Sequence, residues 1–113
     1  MPSSGPFANH HVRWSKAIDN LSSAHEQAKN EAVGHIHQRI TAAAEDSPGM
    51  DPEHVGTFWY KGRPHISVQG DTADLEYGTL SQAPRATIRN AARRADRDAV
   101  KIYHSTFRNG LGI

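Results

Sequence analysis

Asp74-Leu75-Glu76-Tyr77-Gly78-Thr79-Leu80-Ser81-Gln82-Ala83-Pro84, running into Arg85-Ala86-Thr87-Ile88-Arg89-Asn90-Ala91, is the stretch that decides how this chain folds. Along it the side-chain period passes from about two to about 3.6, so a strand is expected to end, turn and feed a helix. Gly78 stands where the chain leaves the extended run, and glycine reaches positive φ without the Cβ clash other residues suffer. Pro84 suits the first turn of the following helix, where its missing N–H has no partner to lose. Glu76 has no second acid or histidine at a motif-like distance and reads as a solvated carboxylate beside the turn. Glu76, Tyr77, Gly78, Thr79 and Pro84 are thus the expected structural corner.

Upstream of the corner, Val55-Gly56-Thr57-Phe58-Trp59-Tyr60 is rich in β-formers, Lys61-Gly62-Arg63-Pro64 reads as a turn, and His65-Ile66-Ser67-Val68-Gln69 alternates polar and apolar. These segments make a hairpin, and the Leu75–Tyr77 run adds a third strand, giving a three-stranded antiparallel meander. Neighbours on a strand point to opposite faces, so Phe58, Trp59 and Tyr60 cannot all face inward. Phe58 and Trp59, with Trp14 nearer the start of the chain, are candidates for subunit contact. A nucleic-acid platform here would need basic residues among the rings, and only Lys61 and Arg63 qualify.

Further upstream, from about Arg13 to Ala44, Trp14, Ile18, Leu21, Ala28, Ala32, Ile36 and Ala43 recur at intervals dominated by three and four, with Ile40 at the edge of the stripe. Such a helix would be roughly 48 Å long at 1.5 Å per residue, and part of it is expected to project or to pack on another subunit. Gly34 is a candidate bend. His25 and Arg39 fall within the stripe, where two accounts stand: a hydrogen-bonded histidine with a snorkelling arginine, or two residues facing a partner. The helix stops at Glu45-Asp46-Ser47-Pro48-Gly49.

Downstream, a second helix is expected from about Pro84 to Phe107, packed on the sheet through Ile88, Ala91, Ala92, Ala95, Ala99, Ile102 and Tyr103. Arg85, Arg89, Arg93, Arg97 and Lys101 follow at steps of four, advancing about 40° each, and form a continuous basic stripe on its other side. The stripe is a solvated face, a contact with acidic residues of a neighbouring subunit, or the lining of a passage for DNA. Residues 1–11 read as a mobile arm and 108–113 as a loose tail. The fold expected is α+β: a long N-terminal helix, a three-stranded antiparallel meander, and a C-terminal helix packed on the sheet.

At 113 residues the chain is a single domain, and with a mean hydropathy of −0.70 and 36% hydrophobic content it is lean. A polar chain with one long helix often completes its burial against copies of itself. Cysteine is absent, which excludes a disulfide scaffold, thiol catalysis and cysteine-ligated zinc, and fits synthesis in a reducing cytoplasm. Thirteen basic residues against twelve acidic ones leave a formal charge of +1, so no global field recruits nucleic acid. No apolar run is long enough to cross a bilayer, and no contact with a membrane is expected. No phosphate-cradling glycine loop, H-E-x-x-H or G-x-S-x-G occurs, and the eight histidines scatter. Neither enzymatic activity, nor a cofactor, nor a metal site is expected.

Leu75-Glu76-Tyr77-Gly78-Thr79, the short polar loop, Pro84 and the helix opening with Arg89 and Ala91 resemble the signature of the Hong Kong 97 phage gene-product-ten family, over roughly residues 66–95. The resemblance implies a neck or tail-completion component of a long-tailed bacteriophage. It implies a virion protein at the head-tail junction, forming a ring, mostly hexameric in related connectors, that docks to other neck and tail proteins and leaves a channel for phage DNA. From the residues alone, the other reading is a small nucleic-acid-binding regulator using the Arg85–Lys101 stripe.

Overall fold

Alanine decides the architecture. The computed structural model describes residues 18–112; the expected arm, Trp14 and Ile113 lie outside them. Helix α1 (Leu21–Asp46) buries Ala24, Ala28, Ala32, Ile36, Ile40 and Ala44, one residue every four. Helix α3 (Thr87–Leu111) answers with Ile88, Ala91, Ala95 and Ala99, the three alanines again four residues apart. Because alanine adds only a methyl group, two such rows let the helix axes approach towards the short end of the usual 8–10 Å range. The helices run antiparallel: Gly110 near the end of α3 meets Ala24 near the start of α1, where an added Cβ would sit 2.8 Å from the Ala24 Cβ.

The expected stripe on α1 is therefore shifted. Ile40 is fully buried at its centre instead of its edge, whereas Ile18 and Leu21 are 68% and 50% exposed. Gly34 does not interrupt the helix, which spans 26 residues, about 39 Å. Ser47 closes it by donating its N–H to the Ala44 carbonyl, and Gly49 turns the chain at φ +84°.

Strands β1 (Val55–Tyr60) and β2 (Arg63–Val68) pair antiparallel, from Val55 opposite Val68 to Tyr60 opposite Arg63. Lys61 and Gly62 both take positive φ, the requirement of a two-residue turn whose twist matches the strands. The pleat places Val55, Thr57, Trp59, Pro64, Ile66 and Val68 on one face and Gly56, Phe58, Tyr60, Arg63, His65 and Ser67 on the other. The first face lies against α1, where Val55 is buried and Ile66 and Val68 border the core.

The third strand is not formed. Residues expected to extend the meander make a short helix, α2 (Gly70–Tyr77), and the sheet has two strands. Leu75 and Tyr77 are two apart, which reads as strand alternation, but the buried positions are Thr72 and Glu76, four apart, with Leu75 half-buried beside them. In so short a run the helical period is carried by a threonine and a glutamate, which register as polar. Thr72 anchors the helix: its hydroxyl accepts the Asp51 N–H at 2.9 Å and is hydrogen-bonded to His54 Nδ1 at 3.0 Å.

Two further boundaries differ. The last helix begins at Thr87, not Pro84, because the N–H groups of Arg85 and Ala86 donate to the Leu75 and Glu76 carbonyls at 3.0 and 3.1 Å. It continues to Leu111, so residues 108–111 are helical and not a loose tail, and Gly112 ends it in the left-handed conformation. This helix packs chiefly on α1 and not on the sheet. Among the described residues no helix is long and apolar enough to cross a membrane.

Candidate functional site

The corner is a junction between two helices, and Glu76 is its centre. Helix α3 opens at Ala86, whose side chain has no oxygen to offer its first N–H groups. Glu76 fills that role from twelve residues earlier: Oε1 accepts the Ile88 N–H at 2.6 Å and Oε2 the Arg89 N–H at 2.9 Å. Its carboxylate also pairs with Arg89 Nε at 2.9 Å, while Arg89 Nη2 donates to the Glu76 carbonyl at 2.8 Å. The expectation of a solvated carboxylate is thus overturned, for Glu76 is fully buried. A buried anion is tolerable here because the positive end of the helix dipole and a guanidinium converge on it.

The rest of the corner supports this arrangement. Gly78, at φ +82°, has no room for a side chain, since a Cβ would lie 2.8 Å from the Pro84 nitrogen and 2.9 Å from the Gln82 carbonyl. Thr79 and Gln82 exchange backbone hydrogen bonds across a tight turn, at 2.9 and 3.3 Å. Pro84 therefore serves the lead-in packed on Gly78, not the first helical turn. Tyr77 stays half exposed beneath the Arg89 guanidinium, 4.8 Å from its ring centre.

At the opposite end of the helix pair, the hairpin tip leans over α1 and α3 and leaves a cleft of about 490 Å³. Trp59 and Tyr103 form its aromatic wall, stacked at 6.2 Å with 13° between planes. His25 meets both rings edge-on and is hydrogen-bonded through Nδ1 to the Tyr103 hydroxyl at 2.7 Å. Of the two accounts of His25, the hydrogen-bonded histidine is the one realised within this chain. Ala99, Val100, Pro64 and Arg63 complete the mouth, and Asp96 is the one carboxylate among the lining residues.

The outer face of the hairpin is also aromatic. Phe58 and Tyr60 are 47% and 53% exposed, and His65 lies between them, stacked on Phe58 and edge-on to Tyr60. Phe58 and Trp59, expected together at a subunit contact, thus stand on different faces. Of the three rings that cannot all face inward, Phe58 and Tyr60 are the outward ones, and His65 joins them from the paired strand.

The basic stripe is not continuous. Arg85 precedes the helix and donates to the Ser47 hydroxyl and the Pro48 carbonyl, tying the corner to the end of α1. Arg89 is engaged by Glu76. What remains outward is Arg93, Arg97 and Lys101, joined by Arg94. Among the described residues no three His, Asp or Glu side chains converge to hold a metal ion.

The class these features define is an antiparallel helix pair with a β-hairpin laid on its first helix and a carboxylate-capped elbow joining the short helix α2 to the last helix. No protein-family model matches the chain, and no curated protein or solved structure matches it either.

Proposed function

We propose that this protein is a structural subunit that assembles with copies of itself, and that it works in a ring at the head-tail junction of a tailed bacteriophage. The observation that carries the self-association is where its large apolar side chains lie. The helix interface is built mostly of alanines, with Ile36, Ile40 and Ile88 as its large members, while Leu21, Phe58, Tyr60, Tyr77, Leu80 and Val100 are each about half exposed or more. A chain whose helix interface is mostly small side chains and which leaves rings in water keeps apolar area for another surface. The hairpin adds a second route, because among the described residues each of its two strands has one edge without a partner strand.

The place in a phage particle rests on the resemblance of Leu75–Pro84 and the helix after it. In this reading Glu76 and Gly78 fix the angle between hairpin and last helix, so that every copy presents the same shape to its neighbours. Arg93, Arg94 and Arg97 would face a neighbouring subunit or the passing DNA. Light scattering and negative-stain imaging test the proposal: ring-shaped oligomers are expected, without sequence-selective DNA affinity. Tight binding of short DNA duplexes by a monomer or dimer, falling steeply with salt, would instead favour a nucleic-acid-binding regulator.

A further inference from the structure

We infer that Leu80 of one copy inserts into the Trp59–Tyr103 cleft of the next, making a head-to-tail contact between opposite ends of the molecule. The inference rests on the self-association proposed above and assigns its two surfaces.

Leu80 is the most exposed large apolar residue described, at 111% of its reference area. It is also held rigidly. The Thr79–Gln82 turn is closed by two backbone hydrogen bonds, the Thr79 hydroxyl accepts the Ser81 N–H at 3.3 Å, and Gly78 is wedged against Pro84. A leucine displayed on a locked turn loses little conformational freedom on docking, which is what makes an anchor residue effective. A solvent-exposed leucine on a mobile loop would carry no such meaning.

The cleft offers a matching hole. Its wall is two stacked rings and its floor the small Ala99, and about 490 Å³ is ample for a branched aliphatic side chain. Charge agrees as well. Asp71 and Asp74 stand three apart on the exposed side of α2, the helix that leads to Leu80, and outnumber Arg85, the exposed cation of the corner left once Arg89 is paired with Glu76. The cleft mouth carries Arg63, and the exposed Lys101 follows the lining residue Val100 in sequence, against the single lining acid Asp96. An acidic knob thus faces a basic hole, a pairing that sets orientation and disfavours knob-to-knob contact.

The two surfaces lie at different ends. The knob sits by the start of α3, and the cleft by Tyr103, sixteen residues along that helix, or about 24 Å. A contact joining unlike patches is heterologous, and repetition of it closes a ring when the rotation allows.

The absence of cysteine makes a clean test. Ser81→Cys and Lys101→Cys chains, both altered at exposed positions that leave Leu80 and the cleft lining intact, are mixed and treated with a short bismaleimide linker. Cross-linked dimers are expected from the mixture at a yield at least tenfold above either chain alone. In parallel, Leu80→Asp and Val100→Glu chains should each fail to form oligomers, while an equimolar mixture forms dimers and nothing larger, since one intact knob and one intact hole remain. Oligomers that persist in Leu80→Asp, or that form without the 81–101 cross-link, would overturn this contact and leave self-association standing. A wild-type chain that is monomeric at all concentrations and gives no cross-link would overturn both.

Discussion

The two ends of this molecule treat their polar and apolar groups in opposite ways. At the corner, Glu76 has both oxygens engaged, Gly78 is packed on backbone, and the Leu75 and Glu76 carbonyls near the end of α2 are met by N–H groups from the segment leading into α3. At the hairpin tip, rings stand half open around a cleft, and among the described residues the one side-chain hydrogen bond in its wall is that of His25 with Tyr103. One end spends its interactions internally and becomes rigid. The other leaves apolar area in contact with water, where a partner can still claim it.

Substitutions can break this contrast, and the largest effect belongs to the corner. Glu76→Ala leaves two helix N–H groups and a guanidinium without their anion. A loss of about 3 kcal/mol is expected, near the low end for a broken buried pair because Arg89 is 39% exposed and can turn to water. Thermal unfolding followed by circular dichroism should show Tm lower by more than about 10 °C. An unchanged Tm would mean that the corner does not fix the last helix. Gly78→Ala comes next, at about 2 kcal/mol, since alanine must adopt a conformation reserved for glycine and also displace Pro84. Its urea midpoint should fall without a change in slope.

The open end should respond less. Tyr103→Phe removes the hydroxyl bonded to His25 and keeps the stacked ring, so about 1 kcal/mol or less is expected in the same denaturation experiment. Leu80→Ser sharpens the comparison further. Its effect on the stability of the isolated chain should lie within about 0.5 kcal/mol, as for a solvated surface residue, while its effect on assembly by light scattering should be near complete. Equal losses of stability at both ends would erase the distinction.

The helix pair and hairpin were legible because their patterns are local. Ala28, Ala32 and Ile36 step by four, Lys61-Gly62 lies between two β-rich runs, and each signal is complete within its own element. The corner was legible as a site and misread as a structure. Its glycine and proline punctuate the chain whichever element precedes them, so they marked a turn without saying that a helix fed it.

The sequence by itself determined two long helices of alanine periodicity, a tight hairpin and a glycine-dependent elbow, because each rests on spacing or on the conformational range of single residues. Only the tertiary structure decided the fate of Glu76, Gly110 and the basic residues. Glu76 is buried because the N–H groups it caps arrive from twelve residues downstream. Gly110 stays helical because its missing Cβ admits Ala24 from the far side of the molecule. Arg85 and Arg89 leave the stripe because the folded corner supplies acceptors for both. In each case the energy lies in a partner distant along the chain, and periodicity carries no information about who that partner will be.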